Sequence, residues 1–172
     1  FKRIYILAGY KSDVIFKKFH NKISNFTKII CLKEKKFMGT GGALFSLKKK
    51  INNFVLVNGD TIFDIDIKDL VNLSKTSKKN NLGCIALTQK KKNINNYKLN
   101  NLSLKNNILI YKKKSSLMNG GIYFFKKELF KKLKNKPYSL EEDLLPYYIN
   151  KKQLLGKSYN KFFLDIGTPK YF

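Results

Sequence analysis

Two short, unbroken apolar runs, Val55-Leu56-Val57 and Cys84-Ile85-Ala86-Leu87, constrain this chain most. A strand half-exposed to water alternates apolar and polar residues, whereas a strand covered on both faces reads as a continuous apolar run. Between the two runs, Ile67, Leu70, Val71 and Leu73 recur at helical spacing. Upstream, RIYILAG reads as a strand. Ser12 then caps a predicted helix carrying Ile15, Phe19 and Ile23 at i, i+4 and i+8. KIICL is the next strand, and the loop KEKKFMGTGG leads into a short helix, ALFSLKKK. This β-α-β-α-β-α-β order predicts a doubly wound, three-layer α/β/α architecture around a largely parallel sheet.

The second half is organised differently. Residues 89–118 are rich in Lys and Asn and hold two short candidate strands, YKLNNLSL and NILIYK. GGIYFF is a further strand. KKELFKKL and SLEEDLLPYYI are predicted helices, the second capped by Ser139 with Glu142 completing a capping box. LLGKSY and FFLDIG close the chain as strands. We see no Pro-, Gly- or Ser-rich linker, so residues 1–172 are expected to form one domain, with a substrate-side insertion at about 89–118.

The formal net charge is +25, with Arg3 the only arginine. Base readout and rigid phosphate clamps favour Arg. The lysines accompany abundant Asn, Ile and Phe along the whole chain, which reads as compositional drift with lysine on solvated faces. No nucleic-acid partner is expected, although anionic ligands would be drawn in. No apolar run approaches membrane-spanning length, so no membrane partner is expected either. Cys31 and Cys84 lie in separate apolar runs and read as free buried thiols, which suits a reducing cytoplasm.

Ligands of open α/β sheets bind beyond the carboxyl ends of the strands, and three segments fall there. Gly39-Thr40-Gly41-Gly42 precedes a helix; glycines let backbone approach a ligand and a helix start favours an anion, but the same sequence also serves as a turn. Asn58-Gly59-Asp60 follows FVLV; Asp60 is either a divalent-cation ligand or a solvated turn residue. Asp165 ends the apolar run FFL and is followed by a glycine turn. Two strand-end carboxylates far apart in sequence can converge on one Mg2+, as nucleotidyl transfer requires. Asp64, Asp66 and Asp69 read as structural, and His20, on a Lys-rich helix, is given no catalytic role.

The order ILAGYKSDVI, E-x-x-x-MGTGGAL, FVLVNGDTIFDIDI, MNGGIYFF, SLEEDLLPYYI and FLDIGTPKYF resembles the sugar-1-phosphate nucleotidyltransferase family over nearly the whole chain. It looks most like the heptose 1-phosphate and mannose-1-phosphate guanylyltransferases. The resemblance implies a Rossmann-like mixed sheet of the nucleotide-diphospho-sugar transferase type. It implies an enzyme that makes an NDP-sugar and pyrophosphate from an NTP, GTP favoured, and a sugar 1-phosphate, for cell-surface glycans. It implies Mg2+ as cofactor, held by Asp60 and Asp165. Gly39, Thr40 and Gly41 would lie along the base and ribose, with Gly59 near the nucleoside. Asn119 and Gly120 would contact the sugar and Glu141 its hydroxyls. Lys114 would hold the sugar's phosphate, with Lys113 where relatives carry Glu. On residues alone, Asn119-Gly120-Gly121 is equally a plain turn and Glu141 first-turn helix chemistry. A homo-oligomer is compatible with the resemblance.

The family also begins with a strand and a glycine-rich loop carrying an Arg, then a Lys-Pro segment, and this sequence holds neither. It begins on Phe1 and stops at TPKYF, so it is expected to be part of a longer protein and to lack turnover by itself. The alternative expectation is a non-catalytic nucleotide-sugar-binding or regulatory subunit of the same fold.

Overall fold

The apolar runs and helix spacings become eleven strands and four α-helices in a computed structural model that describes residues 1–34, 36–77, 80–89 and 101–167. The first half contains β1 (Arg3–Ala8), α1 (Ser12–Phe19), β2 (Ile23–Ser24), β3 (Thr27–Lys33), α2 (Gly39–Ala43), β4 (Phe54–Val57), β5 (Thr61–Phe63) and α3 (Ile67–Thr76). Next come β6 (Gly83–Gln89), β7 (Leu102–Lys105), β8 (Ile108–Tyr111), β9 (Leu117–Phe125), α4 (Leu145–Asn150), β10 (Leu154–Ser158) and β11 (Phe163–Asp165). Among the described residues no helix is long and apolar enough to cross a membrane.

The main sheet has six strands in the order β4-β9-β6-β10-β8-β7. It is mixed. β10 runs parallel to β6, but β9 runs antiparallel to both β4 and β6. The largely parallel sheet expected from element order is therefore corrected. β9 returns from the second half of the chain and separates β4 from β6. Since β9 is covered on both faces, its apolar run has the same appearance as a buried parallel strand.

Strand alternation along β9 divides the core. Tyr123 and Phe125 point into a cluster with Leu44, Leu129, Leu145 and Tyr148. Met118, Ile122 and Phe124 point the other way, among Leu70, Cys84, Ala86 and Phe163. The first cluster takes Leu44 and Leu47 from the 3-10 turn after α2 and Leu145, Tyr148 and Ile149 from α4; the second takes Leu70 from α3 and Phe63 and Phe163 from the β5–β11 pair. A smaller sheet, β1-β3-β2, packs Tyr5, Leu7 and Leu32 against the first cluster.

Several local expectations change. α1 ends at Phe19, and Ile23 stands in β2. His20 is extended and Asn21 adopts φ +60, which turns the chain before the third apolar position, Ile23, can join the helix. Ser12 lies inside that helix; Lys11 holds the cap position, without a side-chain bond. His20 is structural: its Nδ1 accepts the Cys31 N–H at 3.1 Å, and its ring stacks on Phe16. KKELFKKL forms only a 3-10 turn over Lys127–Lys131. Asp66 caps α3 by accepting the Lys68 N–H at 2.9 Å, and Asp69 pairs with Lys157 at 2.9 Å, the structural roles expected of them. Cys31 and Cys84 are free and buried. Of YKLNNLSL, residues 97–100 lie outside the described residues; the rest enters the β7–β8 pair.

Candidate active site

The Gly39–Gly42 segment forms the helix α2 itself rather than a loop ahead of one. Its glycines permit close docking on the chain around Tyr138. Gly39 has φ +67, and a Cβ there would stand 2.6 Å from the Tyr138 carbonyl oxygen. A Cβ on Gly42 would stand 2.5 Å from the Lys136 carbonyl oxygen. The Gly41 and Gly42 N–H groups donate to the Tyr138 oxygen at 3.0 and 3.3 Å. The Gly41 and Gly42 amides are thus already satisfied by the protein.

This docking brings Thr40 onto Glu141. The Thr40 hydroxyl donates to Glu141 Oε2 at 2.7 Å and accepts the Leu140 N–H at 2.9 Å. The Ser139 hydroxyl also reaches Glu141 Oε2, at 3.3 Å, and accepts the Glu142 N–H at 3.1 Å. The Ser139 cap is therefore present, but the reciprocal bond comes from Asp143, whose Oδ2 accepts the Ser139 N–H at 2.7 Å. The reason is local: Leu140–Leu144 is a π-helical turn, wider than an α-turn, which carries Asp143 round to the capped amide.

Behind Glu141 stands β9. Asn119, Gly121 and Tyr123 share one face of this strand. The Asn119 Nδ2 donates to the Tyr123 hydroxyl at 2.7 Å, and Asn119 Oδ1 accepts the Gly121 N–H at 3.1 Å. The Tyr123 hydroxyl donates to Glu141 Oε1 at 3.4 Å, and the Asn58 side chain lies close to the same hydroxyl. Burial first, and then the negative charge of Glu141, push the Tyr123 phenol far above its ordinary range, so it stays a donor. Gly120 faces the opposite way, where a Cβ would stand 2.5 Å from the Phe63 ring.

The two strand-end carboxylates meet on the β5–β11 pair. Asp165 is in register with Thr61, the residue after Asp60, and the Ile166 N–H donates to the Asp60 carbonyl at 2.8 Å. A Cβ on Gly167 would stand 2.5 Å from Asp60 Oδ2 and 3.2 Å from Asp165 Oδ1, so both carboxylates flank one bare glycine. The Gly167 N–H donates to Asp165 Oδ1 at 2.9 Å. Among the described residues no group of three or more His, Cys, Asp and Glu converges. Two neighbouring carboxylates with hard oxygens fit a magnesium ion that completes its shell with phosphates and water.

These pieces open onto one cleft of about 660 Å³, lined by Gly39, Thr40, Asn58, Asn119, Gly121, Glu141 and Asp165 among others. Glu142 and Asp143 also line it, and no lysine is among its described lining residues. A chain with only 11 acidic residues and a formal net charge of +25 places four of those acids in this lining. The structure thus gathers Gly39, Thr40, Asn119, Glu141 and Asp165, with Asp60 beside Asp165. Gly41 and Gly120 are turned into packing contacts, and Gly59 is exposed with open space around it. Lys114 is exposed in the turn before β9, at φ +60, outside the described lining. Sequence reasoning missed Tyr123 and Tyr138. The one available signal was the period-two spacing from Asn119 through Gly121 to Tyr123.

The family model for nucleotidyl transferases matches residues 1–172. The D-glycero-alpha-D-manno-heptose 1-phosphate guanylyltransferase of Campylobacter jejuni is 33% identical over 178 residues, covering 98% of this chain and 75% of that protein. The bifunctional protein GlmU of Methanococcus vannielii is 32% identical over 181 residues, of which the match spans 98% of this chain and 42% of that protein. The crystal structure of HddC from Yersinia pseudotuberculosis complexed with GMP-PN superposes with a TM-score of 0.72 at 23% identity, covering 98% of this chain and 75% of that one.

Proposed function

The chain belongs to the nucleotidyl transferase family, and we propose that it serves in the transfer of a nucleoside monophosphate from an NTP to a sugar 1-phosphate, yielding an NDP-sugar and pyrophosphate. The observation that supports this reading is the joining of Thr40, Glu141, Asn119 and Asp165 in one cleft, with Asp60 beside Asp165 across Gly167.

In this reading each end of the cleft has its task. Glu141 and Asn119 offer an acceptor-rich wall for the sugar hydroxyls. Gly39 and Thr40 lie along the base and ribose. Asp60 and Asp165 would hold Mg2+, which when bound neutralises phosphate charge and orients the reacting groups. The two carboxylates are kept in place by the β5–β11 register and the bare surface of Gly167. The sugar phosphate oxygen attacks the α-phosphorus in line, and pyrophosphate departs; positioning carries the catalysis and no covalent adduct with the protein is needed. Lys114 is proposed to reach the sugar's phosphate from the β9 turn, which requires that exposed side chain to fold inward.

For the base we propose guanine, and for the sugar a heptose or mannose, because a heptose 1-phosphate guanylyltransferase is 33% identical across nearly the whole chain. The test is pyrophosphate release by the intact protein with GTP, ATP, CTP and UTP, each paired with heptose, mannose and glucose 1-phosphates. Release with GTP and heptose or mannose 1-phosphate is expected. Release with none of the sugar phosphates overturns the reading, and release with another NTP alone overturns the guanine assignment.

A further inference from the structure

Tyr123 has no contact with solvent, yet its hydroxyl stands where three separated cleft segments meet. It accepts from Asn119 at 2.7 Å and donates to Glu141 Oε1 at 3.4 Å, with the Asn58 side chain close by. All three residues line the cleft. A fully buried phenol on an apolar strand face has a low-cost substitute, phenylalanine, and Phe125 follows it two residues later on the same face. The hydroxyl therefore does something that the packing of the ring does not require.

The Asn119 amide has both ends engaged: Oδ1 takes the Gly121 N–H and Nδ2 gives to Tyr123. Its flip state is fixed by two different bonds. Glu141 is only 8% exposed and is held on both oxygens, Oε2 by Thr40 and Ser139 and Oε1 by Tyr123. These bonds restrict the rotation of a carboxylate that lines the cleft. We propose that Tyr123 is a positioning residue that orients Asn119 and Glu141 together for sugar recognition, without touching the ligand. This rests on the sugar-phosphate reading given above.

Removing the hydroxyl by Tyr123→Phe leaves the ring's packing intact and frees two polar side chains that face the cleft. The expected result is a rise of about tenfold in KM for the sugar 1-phosphate, with KM for the NTP changed less than about twofold. In a Glu141→Gln background the same change should add much less, since the residue acts through Glu141. A structural role alone would lower the melting temperature and leave the two KM values in their original ratio, and that result overturns the proposal. A ligand-free readout separates this from failure of the parent reading. The Asn119 side-chain 15N resonance should shift in Tyr123→Phe, and its amide hydrogens should exchange at least about tenfold faster. An unmoved resonance overturns the proposal even if the protein binds sugar phosphates. A shifted resonance in a protein that binds none supports the orienting role and sinks the sugar assignment alone.

Discussion

The Thr40 hydroxyl donates to Glu141 at 2.7 Å across a separation of 101 residues. That bond ties the glycine segment of α2 to the π-turn that leads into α4, and so joins the two walls of the cleft. The same oxygen accepts the Leu140 N–H, so one side chain satisfies groups on both sides of the junction.

Thr40→Val keeps the shape and removes the hydroxyl. It leaves Glu141 Oε2 with the Ser139 hydroxyl, and it leaves the Leu140 N–H without its partner. The expected loss is about 1–2 kcal/mol in denaturant unfolding. A loss below about 0.3 kcal/mol would show that the joint is not a stabilising one.

Gly39→Ala meets two obstacles at once, a φ of +67 and a backbone oxygen 2.6 Å from the new Cβ. We expect about 2 kcal/mol of destabilisation, read as a lowered melting temperature. Alanine at exposed Gly59, where the added Cβ meets nothing within 4 Å, serves as the contrasting control and should cost far less.

Cys84 gives a pH prediction. Burial raises its thiol from 9.0 to about 12. The native state therefore keeps a proton that the unfolded chain gives up more readily. Its contribution to stability is complete below pH 9 and is lost as pH rises from 9 towards 12. Tyr148 and Tyr159, also raised by burial, act in the same direction. The denaturant midpoint should hold between pH 7 and 8.5 and fall steadily above pH 9.5. A rise in midpoint over that upper range would contradict the assignment. Alkylation of Cys84 should require unfolding at pH 8.

Much of this was legible in the residues. The continuous apolar runs identified β4, β6 and β9, and the strand-end placement of Asp60 and Asp165 found the carboxylate pair. Other parts depend on long-range geometry that spacing does not carry. The insertion of β9 between β4 and β6 cannot be read from order, because a strand covered on both faces looks alike in either direction. The Asp143 cap required knowledge of a π-turn, and a one-residue change in turn width moves the partner. Tyr123 lies unmarked within the apolar strand GGIYFF; its hydroxyl gains meaning only when Glu141 arrives from a distant segment.

Gly167→Ala probes the carboxylate pair without removing either member. The new Cβ would press on Asp60 Oδ2 from 2.5 Å, and the Asp60 side chain is free to swing away. Folding should be little affected, while the Mg2+ concentration for half-maximal activity should rise by about tenfold. An unchanged Mg2+ requirement would separate Gly167 from the metal site.

The central claim is that Asp60 and Asp165 act together as the metal-holding pair of a nucleotidyltransferase cleft. Its most direct test is Mg2+-dependent pyrophosphate release by the intact protein and its Asp60→Asn variant, with folding followed by circular dichroism. We predict a loss of at least about a thousandfold in turnover with an unchanged melting profile, since Asp60 is exposed and its backbone bond to Ile166 survives the substitution. Undiminished turnover in Asp60→Asn would contradict the account.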